Sequence, residues 1–184
     1  MTQQANIPAN PIDVYEIATR QARSVITGVK PEQMKKPTPC VEWDVAALVR
    51  HMINAQANSA GTISGGQVPP GKTPLESFDA AVSIMLKAVK SPAGLEKKVQ
   101  GRQGEVPAAQ VLGGACMDLT VHTWDLATAT GQDTKLALEV VEFIFPIVEG
   151  IAKRGSSKAF SAPIDVQAHA SQQDKMIAMT GRKP

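Results

Sequence analysis

Proline and glycine divide this chain at helix-sized intervals, and between them apolar residues recur every three or four positions. Such a pattern can be buried only as a set of amphipathic helices. Asn10-Pro11 reads as a helix start, since Asn caps and Pro suits the first helical position. Ile12, Tyr15, Ile17, Ala18, Ala22, Val25 and Ile26 lie mostly at helical spacing, and Gly28 is a natural stop. Three prolines between Lys30 and Pro39 impose an extended connection. Asp44 caps a second helix to about Ser59, with Val45, Leu48, Val49, Met52 and Ile53 as its apolar stripe. Four glycines and two prolines over residues 60–72 predict a loop. Thr73-Pro74 restarts a helix, and Glu76 completes a capping box. Its buried face is Leu75, Phe78, Ala81, Val82, Met85, Leu86 and Val89. Residues 91–106 form a polar connection with short strand character.

Pro107 opens a fourth helix, expected to reach about Thr130 before Gly131. Gly113 and Gly114 lie inside it, and each costs about 1 kcal/mol against alanine there. They mark either the close approach of a neighbouring helix or a later start. Asp133 is expected to cap a fifth helix to about Lys153, which Pro146 bends or ends early. An irregular stretch after Gly155 leads to a last short helix from Ser171 to Met179. The β-branched content outside the helices is too sparse for a substantial sheet. An all-α antiparallel four-helix bundle with a short irregular C-terminal extension is the simplest packing. The 184 residues read as one domain, with 1–9 disordered and 156–184 as the extension.

Composition excludes several functions. Nineteen Lys and Arg against seventeen Asp and Glu leave +2, with no broad basic field for nucleic acid. Aromatic residues are only 4%, too few for a base-stacking platform. No apolar run approaches the ~20 residues of a membrane helix, and residues 1–9 lack the features of a signal peptide. Two cysteines, Cys40 and Cys116, make no disulfide framework. A cytoplasmic protein without nucleic-acid or membrane partners is the expectation.

Three histidines are present, His51, His122 and His169. Asp118 and His122 are four apart, so they share a helix face with Cβ atoms about 5–6 Å apart. A carboxylate and an imidazole so placed can converge on one cation. A surface ion pair is the plainer alternative. His51 is the other histidine in a predicted long helix, and it completes a set of two imidazoles and a carboxylate. Three protein ligands leave positions open for water or substrate. Asp125, a further turn along, is placed to accept a hydrogen bond from an imidazole nitrogen. His169 falls among small polar residues and reads as solvent-exposed. Cys116 reads as a small core residue. Cys40 is either packed beside Trp43 or a reactive thiol near a helix start. Trp43 and Trp124 read as packing anchors. CxxC pairs, HExxH, Walker loops, G-x-G-x-x-G and G-x-S-x-G are all absent.

Pro37-Thr-Pro-Cys-Val-Glu-Trp-Asp44, continuing through Leu48 to His51-Met52, resembles the opening motif of the DinB-like superfamily. The closer likeness is to the branch typified by the N-terminal, metal-binding domain of mycothiol-dependent maleylpyruvate isomerase. Asp118-Leu-Thr-Val-His122-Thr-Trp-Asp125, running on to Gly131, resembles the second motif of that branch. Phe160 to Pro163 and the closing Thr180-Gly-Arg182-Lys-Pro184 resemble its short members. The resemblance implies a divalent metal, zinc or else nickel, with His51, Asp118 and His122 as its ligands. The isomerase has glutamate where this chain has Asp118, and it carries a second domain where this chain has a short tail. Isomerisation of maleylpyruvate itself is therefore not implied.

The resemblance and the ligand spacing together suggest a thiol-dependent transferase or isomerase. A low-molecular-weight thiol is then held as thiolate at the open metal position and adds to a small electrophile. Metal-assisted hydrolysis by activated water is the alternative. A non-enzymatic metal-binding bundle is a third possibility. Helix faces on a bundle surface also suit a homodimer.

Overall fold

The computed structural model describes residues 10–101, 104–155 and 160–184. The expected disorder of residues 1–9 lies outside them. Among the described residues there are six α-helices and one small sheet: α1 (Pro11–Thr27), α2 (Val45–Ser64), α3 (Pro74–Val89), β1 (Lys98–Gly101), β2 (Gly104–Pro107), α4 (Ala108–Thr130), α5 (Leu138–Lys153) and α6 (Gln172–Met179). The chain is mostly helical, as expected. A bundle of four alone does not describe it, because α5 packs on α4 and α1 and carries α6.

The helix starts are set by side chains that satisfy free backbone N–H groups. Asn10 accepts from Ile12 N at 3.0 Å, Asp44 from Ala47 N at 2.8 Å, and Ser171 from Asp174 N at 3.0 Å. Thr73 accepts from Glu76 N, but the Glu76 carboxylate takes Lys72 N instead of closing the box on Thr73. Left-handed Gly65 and Gly131 end α2 and α4.

Three boundaries differ from the sequence expectation. Helix α2 runs on to Ser64, because Gly61 sits inside its last turn and the breaking conformation waits for Gly65. Pro107 ends β2 and lies just outside α4 rather than opening it. Asp133 accepts from Lys135 N in a local turn, so α5 starts five residues later at Leu138 without a side-chain cap. Pro146 stays within α5. The strand character over 91–106 is an antiparallel pair, Lys98 opposite Pro107 and Gly101 opposite Gly104.

Helix α4 is the central element. Between Leu112 and Ala127, all its residues except Gly114 and Asp118 are buried. Helices α1 and α2 pack on it, and α3 covers α2. A buried polar relay ties these helices together. Tyr15 of α1 donates to Gln56 Oε1 at 2.7 Å, and Gln56 donates to the Ala115 carbonyl of α4 at 3.1 Å. The relay also sets register: residue numbers rise along α2 as they fall along α4. Gly113 allows the close approach of α5, since a Cβ there would stand 3.3 Å from Ile147 Cδ1. No helix among the described residues is long and apolar enough to cross a membrane.

Replacing Tyr15 by Phe leaves Gln56 Oε1 buried without a donor. We expect a loss of about 1–3 kcal/mol in urea unfolding, with the far-ultraviolet helix signal unchanged.

Candidate metal centre

The antiparallel register of α2 and α4 lays His51 against the Asp118–His122 face. His51 Nε2 is 3.4 Å from both oxygens of Asp118. Hydrogen-bond geometry is met only to Oδ1. Asp118 Oδ2 is buried and has no hydrogen-bond partner among the described residues. His122 Nε2 lies 3.6 Å from Asp118 Oδ1, and one ligand atom from each of the three side chains falls within 4.8 Å of the others. The structure brings all three heads into one cluster.

These separations fit a cation. Four ligands at 2.0–2.2 Å around a tetrahedral ion are about 3.4 Å from one another. A buried carboxylate oxygen without a donor costs about 1–3 kcal/mol or more, and a positive charge between the heads removes that cost. The set of two imidazoles and one carboxylate suits zinc, nickel or iron in the divalent state. Asp118 and His51 keep 31% and 32% of their side-chain surface, whereas His122 keeps 8%. The cluster therefore opens to solvent on its Asp118–His51 side.

Trp43 packs beside both imidazoles. Its ring centroid is 4.4 Å from that of His51 and 5.6 Å from that of His122. The loop carrying it is pinned in several places. Pro37 bridges to Asp44, Thr38 Oγ1 donates to the Trp43 carbonyl at 2.8 Å, and Val45 N donates to Lys36 O at 3.0 Å. Trp124 packs in the core, as expected, and so does Cys116, whose thiol burial pushes up to about 12.

Asp125 lies behind His122, fully buried, with Oδ2 at 3.0 Å from His122 Nδ1. An ionised carboxylate only accepts, so Nδ1 carries the proton and Nε2 keeps its lone pair toward Asp118 and His51. Arg182, from the last residues of the chain, closes on Asp125 with Nε at 3.1 Å from Oδ1 and Nη2 at 2.9 Å from Oδ2. Burial alone would raise the Asp125 carboxyl. Hydrogen bonds from His122 and Arg182 outweigh it and hold the group below its ordinary value.

Arg182 was not singled out for this role by sequence. The only signal was its place in the closing Thr180-Gly-Arg182 stretch. Cys40 is also part of this inner layer, with Sγ 3.3 Å from Asp125 Oδ2 and 3.8 Å from His122 Nδ1. Burial and the Asp125 charge push its thiol up to about 12, and the side chain is held between Asp125 and Arg182. His169 is exposed, as expected.

The mostly helical fold is consistent with a DinB-like domain. Residues 15–82 match the family model for the mycothiol maleylpyruvate isomerase N-terminal domain, which belongs to the DinB-like superfamily. The matched span includes His51 and ends before Asp118. Two proteins of Mycobacterium tuberculosis are similar over nearly their whole length: Uncharacterized protein MT0763 of strain CDC 1551 / Oshkosh and Uncharacterized protein Rv0738 of strain ATCC 25618 / H37Rv. Each is 27% identical over 180 residues, covering 94% of this chain and 98% of the relative. No solved structure matches.

Elemental analysis of purified protein is expected to find a divalent metal that His51→Ala, Asp118→Ala and His122→Ala each remove. Asp125→Asn should weaken metal affinity about 10–100-fold, read by competition with a chromogenic chelator.

Proposed function

We propose that this protein binds a divalent metal, zinc or else nickel, through His51, Asp118 and His122. In this reading it uses the metal to transfer or isomerise a small electrophile with a low-molecular-weight thiol. One observation carries the reading. The Asp118 carboxylate lies against both imidazoles, with Oδ1 3.6 Å from His122 Nε2 and both oxygens 3.4 Å from His51 Nε2, and its buried Oδ2 has no hydrogen-bond partner among the described residues. The match to the mycothiol maleylpyruvate isomerase N-terminal domain supports the thiol.

A bound divalent metal supplies positive charge that keeps a coordinated thiol deprotonated at neutral pH. The residues of the chain do the rest. Asp125 holds the Nδ1 proton of His122 and fixes the ring plane. Trp43 packs against both imidazole rings, and the half-exposed Asp118 and His51 give the cluster its access to solvent. A thiol held at His51, Asp118 and His122 would release its proton to solvent, and its sulfur would form a bond to the electrophilic carbon. The displaced electron pair leaves with a departing group in transfer, or returns to expel sulfur after rearrangement in isomerisation.

Gly114 lies one turn before Asp118 on the same half-exposed side of α4. A Cβ there would meet nothing within 4 Å, so packing does not require the glycine. Its absent side chain instead leaves the approach to Asp118 low. An open cleft of about 490 Å³ borders Trp43 and Ala47, with Lys35, Glu42 and Arg50 on its rim. Ala47 is one turn before His51, so this cleft is next to the cluster. A second cleft of 190 Å³, at Gln21, Thr123, Asp133 and Lys135, touches none of the three heads.

Thiol consumption in the presence of a generic electrophile is expected to require added metal and to vanish in His122→Ala. Turnover without metal, or turnover with no thiol present, overturns the reading. Gly114→Leu should raise the KM for the electrophile severalfold at unchanged metal content. Gly114→Ala should stabilise the fold by about 1 kcal/mol in urea unfolding.

A further inference from the structure

His122 belongs to two clusters at once. Nε2 faces Asp118 and His51, while Nδ1 faces Asp125 Oδ2 at 3.0 Å and Cys40 Sγ at 3.8 Å. Cys40, His122 and Asp125 are themselves a set with metal-ligand chemistry, one thiol, one imidazole and one carboxylate within 4.8 Å. The two sets compete for one ring.

Arg182 distinguishes them. Its Nη2 donates to Cys40 Sγ at 3.0 Å and to Asp125 Oδ2 at 2.9 Å, and its Nε donates to Asp125 Oδ1 at 3.1 Å. Nη1 is anchored on the Thr180 carbonyl at 2.9 Å. The side chain is only 6% exposed. A guanidinium keeps its charge in proteins, so a permanent cation already occupies the inner set. On the outer side, Asp118 has no Lys or Arg partner among the described residues.

We propose that Arg182 is a positioning residue that selects the metal site. It serves as the built-in cation of the Cys40–His122–Asp125 set and commits His122 to bind through Nε2. The inference rests on the metal reading above for the outer set. Asp125 receives two guanidinium N–H groups and the Nδ1–H of His122, so the ring keeps its proton on the inner side. Without Arg182, the Asp125 charge and the Cys40 sulfur are left without their cation. A thiophilic divalent ion can then bind Sγ, the Asp125 carboxylate and His122 Nδ1. The thiol proton leaves to solvent, and the ring proton moves from Nδ1 to Nε2.

Cobalt(II) added to the full metal-free chain tests this by absorption. Wild type and Arg182→Lys are expected to bind it without a thiolate-to-cobalt charge-transfer band. Arg182→Ala should show that band, and Arg182→Ala combined with Cys40→Ser should lose it. Cys40→Ser alone should bind cobalt as wild type does. Nitrogen-15 imidazole spectra of the metal-free protein supply a second readout. His122 should be protonated on Nδ1 in wild type and Arg182→Lys, and should redistribute toward the Nε2 tautomer in Arg182→Ala.

A thiolate band in wild type overturns the proposal. So does an Arg182→Ala variant with wild-type cobalt and nitrogen spectra. If Arg182→Ala does not fold, loss of cobalt binding in Cys40→Ser, or an Nε2-protonated His122 in wild type, overturns it instead. Failure of wild type to bind cobalt at all sinks the metal reading, while the nitrogen spectra still decide whether Arg182 sets the tautomer.

Discussion

A carboxylate with no exposed surface cannot sit unpaired inside a helical protein, and Asp125 is such a group. Its burial requires donors from several directions, and these donors come from distant parts of the chain. Arg182 reaches it from the C-terminal segment, His122 from one turn back on α4, and Cys40 from the loop before α2. Breaking a buried pair of this kind by removing one partner costs about 3–5 kcal/mol. One buried charge therefore joins the loop, the central helix and the tail.

The outer cluster inherits its order from that inner layer. His122 turns Nε2 toward Asp118 because Nδ1 is engaged, and His51 meets both through the antiparallel register of α2 and α4. The Tyr15–Gln56–Ala115 relay holds the same register about one turn further on. Structure and site thus depend on the same few long-range polar contacts. Apolar packing alone would tolerate sliding of one helix along the other more readily.

Much of this was legible from local pattern. Periodicity and caps located the helices, and the four-residue separation of Asp118 and His122 put two heads on one face. His51 followed by elimination among three histidines. What escaped was long-range or conformational. Arg182 is 57 positions from Asp125, and no periodicity links an irregular tail to a helix interior. Asp133 has the chemistry of a helix cap but spends its oxygen on Lys135 N, so the start of α5 slid to Leu138. Gly61 resembles a breaker in composition, yet the backbone turns only at Gly65. Cys40 was ambiguous because its surroundings belong to three different segments.

The split of the outer cluster between two helices has a consequence for assembly. His51 is 67 positions from Asp118 and is translated well before it. A nascent chain carries one isolated imidazole until α4 is complete, and the Asp118–His122 pair can only chelate weakly on its own. On the proposed metal reading, tight capture would wait for α4 to dock along α2. Ion retention during synthesis would then gauge that docking, and a chelator present early would act on the maturing chain at a stage when the finished protein is already protected.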